Sequence, residues 1–226
     1  MQTHRTEGVI LQALKFKDYD QILTVYTPNM DLVKFIVKGA LRPKYNQGAL
    51  TAPLSHVEFV YRQGKSDLLI SEEISLLNQH LALRQSIDKL EAACDLLQAL
   101  NVSQMAHAPA PDLYKLFVSY LDKLAVHADP WTLATSFRLK ILSHEGRLGL
   151  SQSCTVCQNV LQAIHLYDGE CYCALHAPVQ SIEFEAEERE LLFALAFSRT
   201  HSQLAPLRPS PAVRHKVKLL FQALIQ

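Results

Sequence analysis

The chain lacks a net charge: its 22 lysines and arginines balance its 22 aspartates and glutamates. Whole-chain electrostatics therefore give no vote for a nucleic-acid partner. It also lacks any run of about 18 consecutive apolar residues, so no membrane-spanning helix is expected. The first residues, Met-Gln-Thr-His-Arg-Thr-Glu-Gly, have neither an apolar core nor a small-residue cleavage site, which argues against a secretory signal. No Gly-x4-Gly-Lys-Ser/Thr loop and no Gly-x-Gly-x-x-Gly run is present, so no nucleotide cradle is visible. His144-Glu145 has no second histidine at metalloprotease spacing, no His-x-Glu precedes the cysteine pair as a zinc deaminase would require, and there is no Gly-x-Ser-x-Gly elbow. These absences shift the expectation from an enzyme towards a binding protein.

What is present is a globular composition, 49% apolar over 226 residues, enough for one or two domains. The charge is neutral in sum but not in distribution. From 34 to 65 the basic residues Lys34, Lys38, Arg42, Lys44, Arg62 and Lys65 face Glu58 alone. From 183 to 190 the balance reverses, with Glu183, Glu185, Glu187, Glu188 and Glu190 against Arg189. Beyond it, Arg199, Arg208, Arg214, Lys216 and Lys218 have no acidic residue after them. Such asymmetry speaks to partners and not to fold.

The first 75 or so residues have strand character. Apolar 8–14, the β-branched and aromatic run 22–27, the alternating run 32–38, the alternating run 56–62 and the return 67–71 read as five short strands. Pro28-Asn29-Met30-Asp31 and the Gln-Gly-Lys-Ser at 63–66 are the turns between them. Five strands of this size suit a small closed barrel, of the oligonucleotide-binding or the SH3-like kind. In the third strand Val33, Phe35 and Val37 share one face. The strand then runs into Gly39 and Pro43, with Lys38, Arg42 and Lys44 around the bend. A rigid sheet carrying a cationic loop is a shape that can grip a phosphate backbone, while a merely solvated loop is the alternative.

From about Leu77 the period changes from two to three and four. Leu83, Ile87, Leu90, Cys94, Leu97 and Leu100 form one helical stripe, in which Cys94 reads as a buried apolar residue. After the break at 108–112 come Leu113, Leu116, Phe117, Tyr120, Leu121 and Leu124. A third helix opens at Asp129-Pro130, carries Leu133, Phe137, Leu139, Ile141 and Leu142, and ends at Gly146 or Gly149. Two more helices are expected over 186–199 and 211–225. The fold class is therefore α+β: a barrel over 1–77, then a helical domain over 78–226 with a metal module at about 150–180.

That module rests on cysteine spacing. Four of the five cysteines lie between 154 and 173: Cys154, Cys157, Cys171 and Cys173, followed by His176. Cys-Thr-Val-Cys at 154–157 and Cys-Ala-Leu-His at 173–176 are two knuckles of one spacing, which suits a tetrahedral zinc site, with Cys171 as an alternative ligand. Four protein ligands leave no open position for water, so the zinc is expected to be structural. A redox pair and a disulfide are the alternatives. The lack of a secretory signal speaks against the disulfide, and a thioredoxin-type pair would open a helix after a strand.

In order and spacing, Gly-Val-Ile-Leu at 8–11, Asp-Gln-Ile-Leu-Thr-Val-Tyr-Thr at 20–27 and Val-Lys-Gly-Ala-Leu-Arg-Pro-Lys at 37–44 resemble the N-terminal domain of the RecO family of bacterial recombination mediators. The likeness continues through Tyr-Arg-Gln-Gly at 61–64 to the knuckle at 154–157, and so covers nearly the whole chain. The family's second knuckle is usually Cys-x-x-Cys after Gly-Gly; here Gly169 and the Cys173–His176 knuckle take that place. The resemblance implies an OB-fold barrel followed by a helical domain with an embedded zinc-ribbon-like module. It also implies binding of single- and double-stranded DNA, annealing of complementary strands, and help in loading the RecA recombinase, together with RecR, on strands coated by single-strand-binding protein. No catalysis is implied, and the expected location is the bacterial cytoplasm, at the nucleoid. Lys34, Lys38, Arg42 and Lys44 are the expected DNA grip, with Arg5 a weaker addition; Tyr45 is read as a packed or exposed tyrosine, with base stacking as the alternative. The Arg208, Arg214, Lys216 and Lys218 cluster is a candidate second surface, or a solvated helix face. A zinc-ribbon regulator of nucleic acids is the rival reading.

Overall fold

The structure, a computed structural model, describes residues 3–43, 48, 50–64, 67–105 and 108–225. The chain divides into two compact units, Met1–Ala125 and Val126–Gln226.

The first unit begins with five strands: β1 (His4–Phe16), β2 (Asp20–Thr27), β3 (Asp31–Val37), β4 (His56–Gln63) and β5 (Leu68–Asn78). They close into a barrel in the order β1-β2-β3-β5-β4, antiparallel throughout except for the short β3–β5 pair. Closure depends on β1. Its first half, His4–Val9, pairs with β4 and its second half pairs with β2, with a register shift between Ile10 and Gln12 where the strand changes partner. The alternation in β3 works as the sequence suggests: Val33, Phe35 and Val37 are buried and Lys34 is exposed. Phe35 and Phe59 stack at 4.2 Å in the barrel core, and Tyr61 meets Phe35 edge-on at 5.4 Å. Fully burying one such ring stabilises the fold by about 1.5–3 kcal/mol.

Two expectations are corrected here. The return strand was expected over 67–71, but β5 extends to Asn78, because its later residues find partners along the whole of β4, from Ser71 opposite Tyr61 to Asn78 opposite His56. Leu77, where the helical period was expected to begin, is therefore strand, and only a short 3-10 turn (Leu81–Gln85) lies between β5 and α1 (Ile87–Ser103). The expected stripe holds in part: Leu83, Leu97 and Leu100 are buried and Leu90 is half-buried. Ala92, Ala93, Leu96, Leu97, Ala99 and Leu100 are buried, whereas Cys94 and Ile87 are exposed. Three alanines, invisible as anchors in the sequence, share the buried side with the leucines. In α2 (Pro111–Leu124) the expected anchors Leu113, Phe117, Tyr120, Leu121 and Leu124 are buried, and Tyr114 joins them. The sequence boundary at 77/78 falls where strand gives way to helix, while the compact unit runs on through α2, whose Tyr114 and Phe117 cover Tyr26 of β2.

Two histidines lie under that cover. His56 on β4 is 3.0 Å from the Tyr114 hydroxyl and 3.7 Å from Glu7, and His80, at φ +48, lies 3.7 Å from Asp122 of α2. Burial lowers both pKa values, outweighing the opposing pull of Glu7 and Asp122 on His56 and of Asp122 on His80. The unfolded chain then holds more protons than the folded one below about pH 6.5, so stability is full above that value and falls as the pH drops through it. The melting temperature of this unit is therefore expected to fall between about pH 7.5 and 5.5, and less steeply in His80→Asn, which tolerates the left-handed backbone without titrating. A pH-independent melting temperature would overturn the assignment.

The second unit is built on α3 (Pro130–His144). Asp129 caps it by accepting from Trp131 N–H at 3.2 Å, and Pro130 occupies the first turn. Gly146, at φ +66, follows its end. The helix is buried almost all round, including the expected Leu133, Phe137, Leu139, Ile141 and Leu142, and packs against α4 (Ala186–Phe197) and α6 (Pro211–Ile225). A short α5 (His201–Leu204) lies between those two in sequence. Lysine 140 reaches the end of α4, donating from Nζ to the carbonyls of Ala196 and Ser198, and its burial lowers its pKa. A small sheet of β6 (Ile164–Tyr167), β7 (Glu170–Tyr172) and β8 (Ile182–Phe184), in the order β7-β6-β8, interrupts the helices. The architecture is thus a closed five-stranded OB-like barrel followed by helices with an embedded Cys3His cluster. Among the described residues no helix is long and apolar enough to cross a membrane.

Candidate nucleic-acid rim and metal centre

The segment after β3 leaves the barrel through Gly39, whose φ of +69 an L side chain would resist. Three hydrogen bonds hold the bend. Gly39 N–H donates to Asp20 Oδ1 at 2.8 Å, Leu41 N–H donates to the Tyr19 carbonyl at 2.9 Å, and Arg42 N–H donates to the Gly39 carbonyl at 3.0 Å. The Arg42 guanidinium lies 5.8 Å from the centre of the Tyr19 ring. The β1–β2 turn therefore anchors the start of the basic loop, and Lys34, Lys38 and Arg42 are all exposed. Among the described residues none of the three enters an ion pair. Lys44 and Tyr45 lie outside the described residues. Arg5 is placed differently: it sits on β1 and pairs with Glu58 at 3.3 Å, which partly neutralises it.

The fold adds residues that the sequence reading missed. Tyr19, in the β1–β2 turn, is exposed beside the loop; Lys15 at the end of β1 and Lys17 in the turn are exposed too, with the Lys17 ammonium 5.3 Å from the Phe16 ring. Their only sequence signal is a Lys-x-Lys-x-Tyr run between two strands. Nothing local says that this turn meets the segment after β3.

In the second unit, Cys154, Cys157, Cys173 and His176 bring one ligand atom each to within 4.8 Å of one another. Cys157 Sγ and Cys173 Sγ are 3.9 Å apart, while His176 Nδ1 lies 3.8 Å from Cys154 Sγ and 3.2 Å from Cys173 Sγ. A tetrahedral zinc with ordinary bond lengths separates two sulfurs by about 3.8 Å and a sulfur from a nitrogen by about 3.5 Å. The donor set thus fits such an ion, and all the cysteines are free thiols.

The local fold explains the closeness. The β6–β7 hairpin turns through Asp168 and Gly169, at φ +47 and +76, the two positive values that a tight hairpin turn demands. This returns the second knuckle to the first. Thr155 N–H donates to the Cys171 carbonyl, and Gln158 N–H donates to the Cys154 carbonyl, both at 2.9 Å. Burial works to raise the Cys154 thiol, but the backbone N–H groups of Cys157, Cys173 and Val156 outweigh it and bring the pKa down to about 6. Cys171, the alternative ligand, is not in the group. It is fully buried, accepts from Ser151 N–H at 3.3 Å, and burial pushes its thiol up.

Comparison with known proteins adds the decisive observation. The family model described as "Recombination protein O N terminal" matches residues 1–79, and "Recombination protein O C terminal" matches 84–226. The chain belongs to the RecO family. It is similar to the DNA repair protein RecO of Chlamydia pneumoniae, with 29% identity over 219 residues, 96% of this chain and 86% of that protein. To its namesake in Chlamydia muridarum it is 25% identical over 222 residues, 96% of this chain and 94% of that protein. The likeness to the Acetivibrio thermocellus protein of the same name, 26% identical, spans 68% of this chain and 61% of that protein. In this RecO-family chain the two family segments meet between 79 and 84, at the 3-10 turn that follows the barrel.

Proposed function

We propose that this chain is a DNA repair and homologous-recombination mediator. It binds single- and double-stranded DNA, anneals complementary strands and, with RecR, helps load RecA on strands covered by single-strand-binding protein. The observation that carries this reading is the match of both family segments along a single chain, next to relatives named as DNA repair proteins. The exposed cations of the barrel support it. Each Lys or Arg that meets a phosphate releases counterions, so an otherwise neutral chain can bind DNA through one local patch. Lys34, Lys38 and Arg42 form the grip, with Lys44 continuing it, Lys15 and Lys17 beside it, and Arg5 contributing less because Glu58 competes for its charge.

A second strand needs a second surface or a second molecule. The C-terminal cluster is a weak candidate. Arg208 donates to the carbonyls of Ala205 and Leu207, Arg214 donates to the Pro209 carbonyl, and Lys216 pairs with Glu188, which leaves Lys218 the most available of the four. Cys154, Cys157, Cys173 and His176 would hold a structural zinc, which when bound cross-links the two knuckles beside the small sheet. No step of the proposed function requires covalent chemistry, and the chain acts in the cytoplasm at the nucleoid.

The test is annealing of two complementary oligonucleotides at low and high salt, one strand coated beforehand with single-strand-binding protein. Salt-sensitive annealing that survives the coating is expected. Binding without annealing, with preference for one sequence, would instead favour a zinc-ribbon regulator.

A further inference from the structure

The two knuckles of the metal centre are held unequally. The first is fixed from several directions. Cys154 N–H donates to the Asn159 carbonyl at 2.9 Å, Leu161 N–H donates to the Gln152 carbonyl at 2.8 Å, and Ser153 bridges to Val160. Together with the bonds from Thr155 to Cys171 and from Gln158 to Cys154, these hold the turn that presents Cys154 and Cys157. Cys154 is fully buried and its sulfur receives the backbone N–H groups of Cys157, Cys173 and Val156, while the Asn159 N–H is directed at Cys157. Donors of this kind spread the charge of a ligating thiolate and keep it aimed.

The second knuckle ends differently. Among the described residues its turn is closed by one backbone bond, from His176 N–H to the Cys173 carbonyl at 3.0 Å. Leu175 is 91% exposed, and Ala174, His176 and Val179 are exposed as well, so the segment that carries the imidazole has little packed on it. The ring turns Nδ1 towards Cys173 and Cys154, and among the described residues Nε2 has no hydrogen-bond partner. A ligating histidine ordinarily donates from its second ring nitrogen to a carboxylate or a carbonyl, and loss of that support costs about 10- to 100-fold in metal affinity. Three well-supported sulfurs therefore share the site with one unsupported ring.

Resting on the zinc reading above, we infer that His176 is the corner at which this site opens: the imidazole gives way to an incoming donor while the three cysteines keep their hold, so that metal exchanges without unfolding of the second unit. Swinging the His176 ring outward breaks one metal–nitrogen bond and disturbs no packed side chain, and the incoming donor forms one bond in its place. Moving Cys154 instead would break its N–H contacts and open a buried site. Soft or borderline donors, thiolate or imidazole, suit a position beside three sulfurs. Because metal binding is linked to folding, the stability of the small sheet then follows the free metal concentration.

The experiment mixes the full chain, loaded with zinc, with an excess of a chromogenic chelator and follows metal transfer by absorbance. Transfer from the wild-type protein is expected to quicken in proportion to chelator concentration, because the chelator enters at the open corner. Release through unfolding would be limited by the chain and indifferent to that concentration. In His176→Cys, which makes the two knuckles alike, transfer slows by about tenfold or more. His176→Ala still takes up metal, about 10- to 100-fold more weakly, and its cobalt(II)-loaded form keeps the thiolate-to-metal absorption of the wild type. This variant and the wild-type concentration dependence decide the matter if His176→Cys folds poorly. Transfer independent of chelator concentration, or as fast in a folded His176→Cys as in the wild type, overturns the open corner and leaves the zinc site standing. A wild-type chain that takes up neither zinc nor cobalt overturns the zinc reading itself, and the corner with it.

Discussion

Lys38→Glu together with Arg42→Glu is expected to weaken single-strand binding by about 10- to 100-fold at 50 mM salt, and to flatten the salt dependence of what remains. Both side chains are exposed, and among the described residues neither is engaged in an ion pair that would compete with a phosphate. Removing two phosphate contacts lowers the slope of log affinity against log salt by about 1.4 on a single strand. The two proteins should therefore converge as salt approaches about 1 M, where counterion release contributes nothing. The fold should be untouched, because exposed charges away from the core change stability by about 0.5 kcal/mol or less. Arg5→Glu serves as the internal comparison. Its partner Glu58 already offsets it, so its effect should be smaller. Anisotropy titrations at several salt concentrations separate these cases. An unchanged slope in the double variant would move the DNA site away from this rim.

Replacing Cys154 by serine is expected to release the metal and unfold the small sheet of the second unit, while the barrel stays folded. Structural zinc contributes about 10 kcal/mol or more to modules of this kind, far more than three short strands can supply. A chelator should act in the same direction on the wild-type protein, and more readily as the pH falls, because thiolates and neutral imidazole are the ligating forms. Cys171→Ser makes the control. Its sulfur lies outside the ligand group and accepts from Ser151 N–H, so metal content should stay at the wild-type level. Metal analysis and limited proteolysis decide the matter. Loss of metal in Cys171→Ser would exchange that residue for one of the four. A Cys154 variant that melts normally but loses a measurable turnover would make the zinc catalytic and the structural reading wrong.

How far these features could be read in advance depends on their range along the chain. The knuckles at 154–157 and 173–176 are legible because metal spacing is a local property, fixed by the reach of one tight turn. The β3 alternation is legible for the same reason: a period of two is written in seven consecutive residues. The length of β5 was not legible, because Ile74, Leu76 and Leu77 look equally apolar in a helix or a strand, and only the availability of β4 as a partner chose the strand. In α1 a stripe of large residues caught Leu97 and Leu100 but also pointed to Cys94, while the alanines Ala92, Ala93 and Ala99, which share the buried side, are overlooked by large-residue counting. Cys171 could not be excluded as a ligand from spacing. Its neighbour in the β6–β7 hairpin decides which way the sulfur points, and that direction follows from register.

By itself the sequence determined the family, the sequence of strand-rich and helix-rich regions, the four candidate metal ligands and the basic run after the third strand. Each of these is carried by residues close together in the chain, where covalent geometry and side-chain chemistry suffice. Tertiary structure alone decided that Tyr19 joins Arg42, and that Leu14, Ile22, Ile36 and Ile70 line up on the outside of the barrel. These residues come from different strands. Closing the barrel fixes their neighbours through hydrogen-bond register, a relation between segments that no single segment encodes.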